Sequence, residues 1–398
     1  MKKLAIITNG TLPLPSTKGG AVESLLQTFI DKNETSNDFQ LVVFTVSHNK
    51  AIELSKSYQN TKFIFIKSES SLFKLGRGIR FIVNKLRKNS IKNQFIHEVL
   101  KFKNQFEGAD LILIENNITF VSYIRRITKK PLGLHLHNDY LNIDNEADSK
   151  KILQNLDFVL GVSKYIKDRV KEIAPKSCKV DFVYNGINLD RFGNVNLQIE
   201  KNKFRENYNI SKEEIVILFA GRLQETKGIK LLMEAFIEIN DKYNAKLLIV
   251  GSSGFEDSKK SSFIKELELL SHTIPNKIVF TGYIKYSQIH IIYGLADFAV
   301  LPSLCEEALG LTAVEALASG LPVIVTDAGG MPETVSEKCG FILKRDSLLK
   351  QNLVKKMEQL IVNKDLKETM GIEAKKRALL FSDKNYYKSL SDYLKSVI

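Results

Sequence analysis

Thirteen short apolar runs, most followed by an amphipathic stretch, constrain this chain more than any other feature. In the first half they are KLAIIT (3–8), QLVVFTV (40–46), KFIFI (62–66), DLILIE (110–115), PLGLHLHN (131–138), FVLGVS (158–163) and VDFVYNG (180–186). In the second half they are IVILFAG (215–221), KLLIVG (246–251), KIVFTG (277–282), FAVLPS (298–303), PVIVTD (322–327) and GFIL (340–343). Strands that alternate with helices form parallel sheets covered on both faces, so the expected class is α/β. Residues 193–213, rich in Asn, Lys and Glu, interrupt the pattern and read as a linker. The chain then divides into an N-terminal domain, 1–192, and a C-terminal domain beginning at 213. Two such sheets joined by a linker have a cleft between them, and ligands bind beyond the carboxyl ends of the strands.

Composition narrows the setting. With 398 residues, 44% hydrophobic and 26% charged, the chain is long enough for two or three cores. Cys178, Cys305 and Cys339 are far apart, which argues against a disulfide framework or a cysteine zinc site and for a reducing compartment. The apolar run after Lys3 is too short for a signal peptide, and no apolar run reaches spanning length. A cytoplasmic protein is expected. The net charge of +13 is lopsided: residues 1–191 carry 30 basic against 19 acidic side chains, the remainder 28 against 26. The first half is therefore expected to meet something anionic.

The densest stretch of candidate chemistry is PSLCEEALGLTAVEALASGLPVIVTDAGGMPE (302–333). After a buried strand comes a loop with Glu307, then a helix with Glu315, closed by Gly320 and stopped by Pro322. Gly310 and its neighbours present backbone N–H groups at the helix start, an arrangement that binds anions. Two carboxylates beside an anion site suit a sugar nucleotide, although an isolated pair at this spacing is more often solvated surface charge. GRLQETKG (221–228) places Arg222 and Lys227 at a strand–helix turn, where an Arg fork and a Lys point charge neutralise a diphosphate. Tyr283 and Ile284, in GYIKYSQIHIIYGLAD (282–297), follow another strand and suit framing of a base through the backbone. Gly19-Gly20 follows the first strand, where the backbone can approach a phosphate closely. No convincing D-x-D metal motif occurs; Asp144-Asn145-Glu146 is the nearest. Protein cations are expected in place of a metal, and no cofactor.

In this order these stretches resemble the retaining glycosyltransferases of family 4, which have the GT-B fold: two Rossmann-like domains facing a cleft. The likeness runs from Gly19-Gly20 to Glu333. GRLQETKG matches the family's Gly-Arg-Leu…Lys-Gly turn, whereas Ala308-Leu309 stands where Gly-Phe is usual. The resemblance implies that Glu307 lies against the donor sugar, Glu315 on the ribose hydroxyls, and Arg222 with Lys227 on the diphosphate. The loop at Ala308 and the amides of Leu309, Gly310 and Leu311 would complete the anion site, which Gly20 approaches from the other domain. A histidine ending an N-domain strand often sits near the reacting sugar. LGLHLHND offers His135 and His137, two apart and hence on one strand face; His137, nearer the carboxyl end, is favoured over a core role. The C-terminal domain would end near 375, and 376–398 would return to the N-terminal domain. The implied reaction moves a hexose, with its configuration retained, from a nucleoside-diphosphate sugar such as a UDP-sugar to a glycan or lipid-linked acceptor. Rival readings are a sugar-nucleotide epimerase of the same fold and a non-catalytic nucleotide-sugar-binding partner.

SSLFKLGRGIRFIVNKLRKNSIKNQFIH (70–97) contains no acid. Wound as a helix at about 100° per residue, it gathers Lys74, Arg77, Lys85, Lys88 and Lys92 on one arc. Leu75, Ile79, Ile82, Val83 and Leu86 gather on another, and Phe81 falls among the basic residues. Such a helix either packs on its own domain or lies on an anionic membrane surface. Nucleic acid is not expected, because the aromatic residues are not interleaved with the basic ones for stacking.

Overall fold

The computed structural model describes residues 1–67, 94–193, 198–251 and 262–398. Seven strands form the first sheet: β1 (Lys2–Ile7), β2 (Phe39–Val46), β3 (Thr61–Ile66), β4 (Leu111–Glu115), β5 (Leu132–Leu136), β6 (Phe158–Gly161) and β7 (Lys179–Phe182). Six form the second: β8 (Ile215–Ala220), β9 (Ala245–Val250), β10 (Ile278–Gly282), β11 (Phe298–Leu301), β12 (Val323–Thr326) and β13 (Gly340–Leu343). All thirteen apolar runs are strands. Their uninterrupted apolar character reflects burial on both faces, as parallel sheets require; β1, β4 and β9 are buried along most or all of their length.

The strand orders are β3-β2-β1-β4-β5-β6-β7 and β10-β9-β8-β11-β12-β13, every pairing parallel. Both sheets thus run outward in two directions from a central pair, β1/β4 or β8/β11. At these switch points the connecting loops diverge and leave a crevice at the strand carboxyl ends. Each unit is a Rossmann-like α/β domain.

By their contacts the residues divide into Met1–Val183 with Tyr386–Ile398, and Tyr184–Asn385. The first break falls ahead of the boundary at 192 suggested by the sequence, because Ile187 is tied to the second unit: its N–H donates to Phe381 O (2.9 Å) and its carbonyl accepts from Asp383 N–H (2.9 Å). Phe192 is buried, its ring edge-on to Tyr293 at 5.8 Å. The stretch 193–213 differs from the expected linker, since Gln198–Asn207 is helical and part of the second unit. Helix Asp383–Val397 enters the first unit at Tyr386. There Tyr387 Oη donates to Asp38 (2.8 Å), Lys395 Nζ pairs with Asp38 (2.7 Å), and Tyr393 packs edge-on against Phe158 (5.6 Å).

The basic stretch 70–97 lies outside the described residues as far as 93, and helix Gln94–Val99 follows it. Among the described residues no helix is long and apolar enough to cross a membrane.

Candidate functional site

In the second unit, β8 runs into Gly221-Arg222 and a short 3-10 turn, Glu225–Lys227, before helix Ile229–Asn240. Gly228 joins turn to helix with φ +68°, and a Cβ there would meet Pro302 O at 2.0 Å. Only glycine allows the turn to lie this close to the end of β11. The next loop is fastened to the same turn: Leu304 N–H and Cys305 N–H both donate to Thr226 O, at 2.8 and 3.2 Å. The two loops beside the β8/β11 switch point are therefore one unit.

This fastening brings Lys227 and Glu307 together. Lys227 Nζ lies 2.5 Å from Glu307 Oε1, and Ser303 Oγ donates to the same oxygen at 2.8 Å. Both charged side chains are largely covered, so the pair is screened less than a surface bridge. Gly330 N–H, in the turn that follows β12, donates to the Glu307 carbonyl at 2.7 Å, and Gly329 before it takes φ +53°. The Glu307–Gly310 loop then enters helix Leu311–Ala318, capped by Gly310 at φ +90°. Ala308, Leu309, Gly310 and Leu311 therefore lie at this helix N-terminus, as the sequence placed them.

Beyond the loop, that helix forms one wall of a pocket of ≈ 270 Å³ through Thr312 and Glu315; Gly221, Arg222, Gly251, Tyr283, Ile284 and Tyr293 complete most of the lining. This is at the small end of ligand pockets, about 300–1,000 Å³. A Cβ on Gly251 would stand 1.8 Å from Gly221 O, so part of the lining is bare backbone. Tyr293 Oη, fully buried, donates to Glu315 Oε2 at 2.9 Å. Burial raises the Glu315 carboxyl to about 7, against the Tyr293 hydrogen bond and the Arg191 charge, which lower it. Arg191 stacks its guanidinium over the Tyr286 ring, 4.8 Å from the centroid. Among the described residues no carboxylate pairs with Arg222, so that fork is open to an anion.

In the first unit, Gly19 and Gly20 precede helix Ala21–Ser36 with φ +77° and +107°. A Cβ on Gly20 would meet Glu23 Oε2 at 2.3 Å. Glu23 is buried and accepts from Asn9 Nδ2 at 2.9 Å; burial raises its carboxyl. At the ends of β4 and β5, Glu115 accepts contacts from both imidazoles. His135 Nδ1 is 3.2 Å and His137 Nε2 3.2 Å from Glu115 Oε2, and all three residues are buried. Burial alone would raise Glu115, but the imidazoles, His135 foremost, outweigh it and hold the carboxyl well below its ordinary range. Burial, with His135 beside it, lowers His137. Among the described residues this is the one cluster with metal-ligating composition, its donor atoms within 4.8 Å of one another.

The site residues expected from sequence thus fall into two groups. Arg222, Lys227, Tyr283, Ile284, Glu307, Ala308, Leu309, Gly310, Leu311 and Glu315 lie in the second unit; Gly19, Gly20 and His137 lie in the first. Sequence reading missed Ser303, Tyr293, Arg191 and Glu115. Glu115 carried a signal, being a carboxylate at the end of an otherwise apolar strand. So did Tyr293, whose hydroxyl in an apolar helical run needs a buried partner.

Two Rossmann-like units, the second with a covered Lys–Glu pair and a pocket at its switch point, have the GT-B fold. Residues 200–377 match the family model of glycosyl transferases group 1. It is 26% identical to the putative glycosyltransferase YtcC of Bacillus subtilis over 407 aligned positions, covering 100% of this chain and 92% of the relative. It is also 26% identical to the lipopolysaccharide 1,2-N-acetylglucosaminetransferase of Salmonella typhimurium, over 68% of each chain. Among solved structures, Anabaena HepE in complex with UDP and glucose superposes with a TM-score of 0.75 at 18% identity, covering 100% of both chains.

Proposed function

We propose that the chain transfers a hexose from a nucleoside-diphosphate sugar, with UDP as the nucleotide, and retains the anomeric configuration as family 4 enzymes do. The observation that carries this reading is the Lys227–Glu307 pair with Ser303, on the loop that leads into the pocket wall bearing Glu315. A nucleoside in that pocket sets its ribose hydroxyls against the Glu315 carboxylate. Its diphosphate meets Arg222, Lys227 and the backbone N–H groups of Leu309, Gly310 and Leu311. As the bond from the anomeric carbon to phosphate oxygen breaks, negative charge grows on the diphosphate, where fixed cations and amides stabilise it most. Glu307, given up by Lys227, accepts hydroxyls of the sugar. The acceptor oxygen attacks from the face the diphosphate leaves, and a phosphate oxygen takes its proton.

Protein cations fill the role a metal would otherwise have at the diphosphate. The first unit takes the acceptor, with Gly19-Gly20 offering close backbone approach to an anionic group and His137 bonding a sugar hydroxyl. Its charge suits an anionic or lipid-linked glycan, and two relatives are named for lipopolysaccharide and capsular polysaccharide synthesis. The protein then works in the cytoplasm, where nucleotide sugars are the donors.

Glu307→Ala tests the reading with UDP-glucose and related donors. UDP release in the presence of acceptor should fall to background while UDP still binds, because Glu307 contacts sugar and not phosphate. Wild-type turnover in this variant would remove Glu307 from the reaction.

A further inference from the structure

Glu115 has no role in the scheme above, yet it is a buried charge in contact with two imidazoles. It stands opposite His135 in the β4/β5 register, and His137, two residues on, turns its ring to the same side. The ring centroids are 4.4 Å apart. An ionised carboxylate only accepts hydrogen bonds, so each nitrogen facing it must carry a proton. For His135 that nitrogen is Nδ1; its Nε2 is buried with no partner among the described residues. A lone pair left there costs less than a buried N–H without an acceptor, so His135 is fixed as the Nδ1–H form. For His137 the facing nitrogen is Nε2, and among the described residues nothing bonds Nδ1.

A metal ion would read the same atoms differently. Two imidazoles and a carboxylate are a ligand set that transition metals accept. A metal on His135 Nδ1 would place the remaining proton on Nε2, which has no acceptor among the described residues, whereas metal-bound histidines almost always donate that proton to a partner. The hydrogen-bonded arrangement is the better fit.

We propose that Glu115 is a positioning residue for His137: it fixes the imidazole with its proton on Nε2, so that Nδ1 accepts a hydrogen bond from a substrate hydroxyl. The assignment of His137 to substrate rests on the proposed transferase reading; its tautomer does not. Glu115→Gln reverses the arrangement. The new amide N–H must find an acceptor, and His135 cannot supply one without stranding its own Nε2–H. His137 therefore yields, accepting at Nε2 and moving its proton to Nδ1, which turns a hydrogen-bond acceptor into a donor.

The test is a long-range ¹H–¹⁵N correlation spectrum of the full chain labelled only in histidine. Six histidines give few signals, and His137→Gln identifies the one of interest. Wild type should show His137 protonated at Nε2, and Glu115→Gln should show it protonated at Nδ1. With donor and acceptor present, kcat should fall about 10²–10⁴-fold, the usual worth of a placed proton-transfer or hydrogen-bonding group, while UDP affinity holds. A wild-type His137 protonated at Nδ1, or near-stoichiometric metal in protein purified without chelator, overturns the proposal even if the variant fails to fold. A variant that switches tautomer and keeps its turnover overturns the functional half. If wild type transfers no sugar at all, the transferase reading fails, and the spectrum still decides what Glu115 does.

Discussion

Replacing Glu315 by Gln should stabilise the ligand-free protein above pH 7 and weaken its grip on nucleotide. In the unfolded chain this carboxyl ionises near its ordinary 4.5; in the fold burial raises it to about 7. Between those values the native state keeps a proton that the unfolded state has released. The stability this proton provides is therefore complete below pH 4.5, declines as pH rises, and is gone above 7. A displacement of this size corresponds to roughly 3 kcal/mol at about 1.4 kcal/mol per unit. Glutamine has nearly the same shape, keeps a carbonyl for the Tyr293 hydroxyl, and never ionises. Melts without ligand should thus nearly coincide at pH 5 and separate by roughly 6–12 °C at pH 8, taking about 2–4 °C per kcal/mol for a domain of this size. Nucleotide should bind the variant more weakly, since an ionised carboxylate accepts two ribose hydroxyls and an amide oxygen accepts them less strongly. A pH-independent offset between the two melts, or a variant less stable at pH 8, would show that burial does not hold the Glu315 carboxyl protonated.

Other expectations follow from the same geometry. Lys227→Ala should lower kcat about 10²–10³-fold, as loss of one preorganised charge stabiliser does, and it strands Glu307; a loss under about threefold places the diphosphate elsewhere. Transfer should persist in saturating chelator, and complete loss restored by manganese would mean that protein cations do not suffice. The protein should sediment with anionic vesicles at low salt and be released as salt rises, with about 1 kcal/mol per basic residue near the surface. Lys85, Lys88 and Lys92 reversed to Glu should abolish that binding; an unchanged triple variant would assign the basic excess to a soluble anionic acceptor.

What could be read from sequence alone had local causes. Each apolar run declares a buried strand by itself, and Gly228 and Gly310 mark turns whose backbone angles other residues resist. Glu307 and Lys227 were found as separate motifs 80 residues apart, yet their direct contact depends on β8 lying beside β11. Glu115 escaped for the same reason: its partners sit on β5 and just beyond its end, and strand order is not a property of any single stretch. Residues 198–207 misled in another way. Their polar composition resembles a linker, and they are helical with no fully buried side chain, so no apolar periodicity announces them.

The division of the chain also bears on how it is made. Residues 184–385 are continuous, so the second unit can close as soon as it has been synthesised. The first unit cannot. Its sheet is in place by Phe182, but the residues that cover Phe158 and satisfy Asp38 lie in 386–398, about two hundred positions later. During synthesis it must wait, partly uncovered, while the other unit emerges and folds. A chain cut short anywhere beyond the second unit would hold that unit complete and the first unfinished. For this protein, the half that begins first is the half that is completed last.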